Sequence, residues 1–166
     1  MKFSRPCIRR STAFSRRCLS ALACLIVAFW FTGCSSFERD WRAAALTPRL
    51  QDDLAGRWEG TWRSEANGHN DQLRAVIAMG SNGVYSTRFH ARYKKGLFRF
   101  SFGYSVPLQV RQTNDTYQFH GEADLGWLAG GLYRYEGSAA GTNFFSNYRC
   151  KYDHGTFQMT RPAPSD

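Results

Sequence analysis

The sequence predicts an all-β fold, a small antiparallel up-and-down β-barrel of about eight strands, with a β-sandwich as the alternative arrangement. Three observations carry that prediction. From Gly56 onward, short runs rich in aromatic and β-branched residues are separated by turn residues at close intervals. Within the runs, apolar and polar residues alternate with period two, so that one face is dry and the other wet. No strong helical spacing interrupts the series, and sequential strands with short links close most simply as a barrel, which leaves no exposed sheet edge.

Taken in order, the candidate strands are Arg57–Arg63, Leu73–Met79, Val84–Tyr93, Leu97–Val110, Thr116–Gly121, Leu132–Ser138, Phe144–Tyr152 and Thr156–Arg161. The breaks between them are turn chemistry: Asn67-Gly68, Ser81-Asn82-Gly83, Lys94-Lys95-Gly96, Asn114-Asp115, Gly141-Thr142-Asn143 and Asp153-His154-Gly155. Parity turns Tyr85, Phe89 and Tyr93 to one face, with Arg88, His90 and Arg92 on the other. It likewise groups Phe98, Phe100, Phe102 and Tyr104 opposite Arg99, Ser101 and Ser105. The inward set then comprises Trp58, Trp62, Ile77, Tyr85, Phe89, Tyr93, Phe98, Phe100, Phe102, Tyr104, Tyr117, Phe119, Tyr133, Tyr135, Phe157 and Met159. Asp124–Gly131 resists assignment. Its glycines cost backbone entropy that burial of Trp127 and Leu128 is expected to offset.

Ahead of the strands the chain changes character. Lys2, Arg5, Arg9, Arg10, Arg16 and Arg17 precede an apolar run from Cys18 to Phe31, as in a secretory signal peptide. That run is too short for the roughly 20 residues of a membrane-spanning helix. Phe31-Thr32-Gly33-Cys34 resembles the lipobox of bacterial lipoproteins. The resemblance implies cleavage before Cys34, a diacylglycerol on its thiol and acylation of the new amine. Ser35 stands where an aspartate would resemble an inner-membrane retention signal, which points to the outer membrane, facing the periplasm. The expected organisation is a signal peptide over 1–33, a lipidated N-terminus and tether over 34–54, the barrel over 55–162 and a disordered tail over 163–166. Within the tether, Phe37–Leu46 has the composition of a short helix, limited by Pro48.

Cleavage also changes the charge. Six of the 22 Lys and Arg residues precede Cys34 and none of the 13 acids do, leaving sixteen against thirteen. A mature charge of about +3 gives little support to a nucleic-acid partner, and none is expected. Cys7, Cys18 and Cys24 leave with the signal, so Cys150 is the one unmodified thiol after Cys34. That excludes an internal disulfide framework and a thiolate zinc site.

Gly56-Arg57-Trp58 opens the first strand and resembles the Gly-x-Trp start of lipocalins and the wider calycin group. In that group a basic residue of the last strand lies across the tryptophan. The resemblance therefore implies a small barrel with Arg161 over Trp58.

The chain carries no Gly-x-Ser-x-Gly, no phosphate loop and no His-Glu-x-x-His, and no enzymatic role or cofactor is expected. His120, Glu122 and Asp124 share a strand face and are weak candidates for a metal, read first as a polar outer wall. Arg88, His90, Arg92, Lys94, Lys95 and Arg99 form a basic stripe, read first as a solvated face. The leading functional expectation is a membrane-anchored module whose barrel holds a small amphipathic molecule through Trp58, Trp62, Tyr85, Phe89, Tyr133, Tyr135 and Arg161. The alternative is an envelope structural or interaction protein with a filled barrel and a working outer surface. The anchor has a direct check: labelled fatty acid is expected in the wild-type protein and not in Cys34→Ala, and equal labelling of the two would remove the lipid reading.

Overall fold

The computed structural model describes residues 36–47 and 53–163; the readings placed on residues 1–35, Cys34 among them, on 48–52 and on 164–166 lie outside these. The described residues form one compact unit. Eight strands make it: β1 (Gly56–Ser64), β2 (Asn70–Met79), β3 (Val84–Lys95), β4 (Phe98–Thr113), β5 (Thr116–Asp124), β6 (Leu132–Ala140), β7 (Asn143–Arg149) and β8 (His154–Thr160). Each pairs antiparallel with its neighbour, and β8 returns to β1 through Trp62–Phe157 and Gly60–Met159, closing an up-and-down barrel. The barrel expectation holds, and the sandwich alternative falls. The left-handed backbone positions in three tight turns are Asn82 and Gly83, Asn114, and Gly141, residues that tolerate positive φ. β7 stops at Arg149 rather than Tyr152, because the Cys150 amide donates to Asp153 O at 2.7 Å and turns the chain early.

The interior is a stack of rings. Phe89 meets Tyr135 at 6.0 Å, Phe157 at 5.4 Å and Tyr104 at 5.4 Å between ring centroids. Phe119 and Phe144 stack at 4.8 Å, and Phe144 leans on Trp58 at 5.5 Å. Eight strands leave an interior just wide enough for such side chains, and these fill its middle.

One end is sealed. Trp58 is buried, its indole N–H donating to Leu54 O at 2.9 Å, and the Arg161 guanidinium lies 3.6 Å from the centre of its ring. The same guanidinium donates to Ala55 O at 2.9 Å and to Asp53 O, pinning the segment that leads into β1. Here a planar cation meets an aromatic face and backbone carbonyls together, which a lysine could not do.

At the other end β3 and β4 outrun their neighbours. Phe98, Phe100 and Phe102 were expected in the interior and are exposed instead. Their parity is inward, but at that height no opposing wall faces them.

A helix, α1 (36–46), lies against the outer wall. Phe37 and Trp41, one turn apart, are its buried stripe. Phe37 stacks on His90 at 4.8 Å, and the Arg74 guanidinium sits 4.9 Å from the Trp41 ring. Glu38 pairs with Arg74 and Asp40 with Arg88. Arg88 and His90, two of the six residues of the basic stripe, are thus the docking ground of α1 rather than a wet face.

Two outcomes follow. In a double-mutant cycle, Trp58→Ala and Arg161→Ala should show coupling of about 0.5–2 kcal/mol, the range for cation–π contacts, within a Trp58→Ala loss of about 3–5 kcal/mol; zero coupling would mean the contact contributes nothing. The second concerns α1. Burial, and then the Arg74 charge, pull the His90 imidazole below its usual range. An unfolded histidine takes up a proton near pH 6.5 while folded His90 resists it, so stability must fall as pH drops below about 6.5. The Arg74 hydrogen bond holds Glu38 below the usual carboxylate range. Its stabilisation, present above an unfolded pKa of about 4.3, is lost at still lower pH. Melting temperatures from pH 7 to 5 should therefore drop less in His90→Phe, which keeps the stack on Phe37, than in the wild type.

Candidate functional site

The open end owes its shape to where two ladders stop. The β2–β3 register runs only to Leu73–Ala91, and the β4–β5 register begins only at Leu108–Gly121. Between them β3 and β4 continue as a two-stranded ribbon, paired from Ala91–Phe102 out to Lys95–Phe98. Pro107 has no N–H to give a ladder, which suits it to the edge where β4 parts from β5. Gly121 lies so close to that edge that a Cβ there would stand 2.4 Å from Pro107 O. The strands touch tightly at Gly121 and diverge beyond it.

On the inner face of this ribbon the core's ring stack continues outward. Tyr104, touching both Phe89 and Tyr135, stacks on Phe102 at 5.8 Å. Phe102 meets Tyr93 edge-on at 6.3 Å, and Tyr93 stacks on Phe100 at 5.1 Å. Phe98 ends the row, 6.5 Å from Phe100. Phe102 and Phe100 are 45% and 40% exposed, and Phe98 at the end is 72% exposed. The ribbon presents an aromatic shelf to solvent, continuous with the core behind it.

Below the shelf Tyr104, Tyr133, Tyr135 and Tyr148 cluster at the top of the packed core. Tyr148 donates to Asp153 Oδ2 at 3.1 Å, and the buried Ser64 hydroxyl donates to Asp153 Oδ1 at 2.6 Å. Tyr133 donates to Ala129 O at 2.9 Å. Burial raises the pKa of Tyr104, Tyr133, Tyr135 and Tyr148 alike. All four stay neutral through the physiological range and can both donate and accept hydrogen bonds. A site with apolar walls and a few fixed hydroxyls is suited to an amphipathic guest.

The residues expected to hold a ligand divide over the height of the barrel. Trp58, Tyr85 and Arg161 belong to the sealed end; Phe89 and Tyr135 are buried in the middle; Trp62 and Tyr133 are half-buried at the mouth. Phe89 and Tyr135 stack on each other, as do Tyr133 and Tyr135, but Trp58 and Trp62 serve opposite ends. The Trp62 indole N–H donates to Arg92 O at 2.8 Å, just beyond the last β2–β3 pair. Tyr93, Phe100, Phe102 and Tyr104 were read as core lining, and their role at the mouth was missed. Strand length was the available signal: a predicted Leu97–Val110 beside a predicted Thr116–Gly121 must protrude.

His120, Glu122 and Asp124 do share the outer side of β5 and are exposed. Glu122 accepts from Arg134 at 2.8 Å, and Asp124 accepts from the Gly126 amide at 2.8 Å. Among the described residues no three His, Cys, Asp or Glu side chains gather as a metal site.

The Asp124–Gly131 segment corrects the expectation made for it. It is a closed loop around a short 3-10 turn, Trp127–Ala129, with Gly126, Gly130 and Gly131 at positive φ. Leu125 N donates to Gly131 O and Gly131 N to Gly126 O. Trp127 and Leu128 were expected to be buried and are 84% and 83% exposed. Backbone hydrogen bonds, not side-chain burial, hold the loop.

No family model, curated protein or solved structure matches the chain.

Proposed function

We propose that the protein is a lipid-anchored binding module of the bacterial envelope, and that its ligand, a small amphipathic molecule, sits at the open mouth rather than deep inside the barrel. The observation that carries this reading is the aromatic row that leaves the core at Tyr104 and ends in solvent at Phe98. Exposed stacked rings on an edge without a neighbouring strand leave apolar area in water that a flat or chain-like guest would cover, at roughly 25 cal/mol per Å². The half-buried Tyr104 and Tyr133 are the phenols nearest the mouth that could meet the guest's polar head. The lipobox at Cys34 and the Gly-x-Trp opening of β1 agree with an anchored, calycin-like binding protein.

A second reading has its own observation. The ring stack through Phe89, Tyr135 and Phe157 fills the middle of the barrel, which suits an envelope interaction protein that works through its outer surface.

One experiment separates the two. The chain from Ser36 onward is titrated with fatty acids, lipid head-group analogues and aromatic amphiphiles, following tryptophan emission and melting temperature. A mouth ligand should quench Trp62 and raise the melting temperature, and Phe102→Ser should weaken binding by on the order of tenfold, the loss of one buried aromatic contact. No response to any class would favour the interaction protein.

A further inference from the structure

The two ends of the barrel differ in a way the mouth ligand does not explain. At the sealed end the hairpin turns are Ser81-Asn82-Gly83, Asn114-Asp115 and Gly141-Thr142, small and polar. The exposed Leu46 and Met79 there stand at the end of α1 and of β2, not on turn tips. At the open end three of the four connections carry large apolar tips. Leu97 is 96% exposed at the tip of the β3–β4 ribbon with Phe98 beside it, Trp127 and Leu128 crown the β5–β6 loop, and Tyr152 stands out of the β7–β8 turn.

Cations accompany these tips. Lys94, Lys95 and Arg99 flank Leu97 in the chain, and Arg149 and Lys151 precede Tyr152. Lys151 stands 5.1 Å from the Tyr152 ring. The two carboxylates of the same segments are turned to internal work: Asp124 holds the Gly126 amide, and Asp153 accepts from Ser64 and Tyr148. The fourth connection, between β1 and β2, is polar and carries Glu65, whose carboxylate lies 3.8 Å from His154 Nε2. The rim is therefore apolar over three loops, basic over the two that carry Leu97 and Tyr152, and polar on one side.

We infer that this rim is a membrane-docking face, in which Leu97, Phe98, Trp127 and Leu128 enter the head-group layer of an anionic bilayer while the neighbouring cations meet its phosphates. An apolar tip flanked by Lys and Arg is the chemistry of interfacial binding, with rings at the depth of the head groups and cations at the surface. A protein partner would be expected to meet a packed, shape-fitted patch, whereas these tips project separately from three loops. The Trp127–Leu128 loop is braced by its own backbone bonds, so presenting these side chains to lipid needs no further ordering. The polar β1–β2 turn implies a tilted approach, with that turn lifted from the surface. On the lipoprotein reading only Ser35 separates the acylated Cys34 from the docked helix α1. The inference itself rests on the rim and not on the anchor.

The test uses the chain from Ser36 onward, which contains the described helix and barrel but no site for the lipid. It is sedimented with vesicles of phosphatidylglycerol and phosphatidylethanolamine, and with vesicles of phosphatidylcholine. Binding to the anionic vesicles is expected, with a blue shift of Trp127 emission and quenching by brominated acyl chains. Trp127→Ser with Leu128→Ser should weaken that binding by about tenfold or more, without lowering the melting temperature, since both side chains are exposed. Each of Lys94→Gln, Arg99→Gln and Lys151→Gln should weaken it roughly fivefold, on anionic vesicles alone. Absence of binding overturns the inference. So does salt-sensitive binding that ignores the Trp127/Leu128 change, which would make the contact electrostatic only. Concentration-dependent dimerisation through the rim in the absence of lipid would assign it to a second copy of the chain instead. Ligand titration at the mouth is read with Phe102→Ser and stands or falls separately.

Discussion

Closure of an eight-strand ring fixes the width of the space inside it, and most of the molecule follows from that width. Strand number and stagger leave room for one layer of large side chains from each wall. Phe89, Tyr135, Phe157, Phe119 and Phe144 occupy that room ring against ring. The β1–β8 ladder that completes the ring also brings Arg161, the residue after β8, over Trp58 near the start of β1. The cation–π contact is thus a product of closure and a lock upon it, since the same guanidinium binds carbonyls of the segment that enters β1.

The same constraint explains the asymmetry between the ends. A side chain can be buried only where a wall faces it, and β3 and β4 continue past the point where β2 and β5 leave them. Pro107 withholds a donor at the parting and Gly121 permits the close approach just before it. The ring stack continues along the ribbon because its period-two spacing continues, but Phe102, Phe100 and Phe98 all lose their cover. An aromatic shelf is what an inward-facing strand becomes when its barrel ends before it does.

The outer wall was less predictable than the interior. Arg57, Arg74, Arg88 and His90 alternate correctly as outward residues, and sequence spacing has no means of telling a solvated arginine from one beneath a helix. The helix itself was readable from Phe37–Leu46, yet its docking depends on Phe37 and Trp41 meeting His90 and the guanidinium of Arg74, across more than thirty residues of chain. The Trp127–Leu128 loop was misjudged for a related reason. Burial was taken as the only source of order for a glycine-rich segment, whereas its backbone bonds to itself.

What the sequence by itself determined is therefore local and periodic: eight alternating runs, the residues of the turns between them, the parity of each side chain, and a short helix before the first strand. These depend on neighbours two to four residues apart, and such spacings are written in the chain. Tertiary structure alone decided which inward side chains have a facing wall, which outward ones lie under α1, and which end of the barrel is shut. Those outcomes depend on where each ladder begins and ends, and a ladder's length is a property of two strands at once.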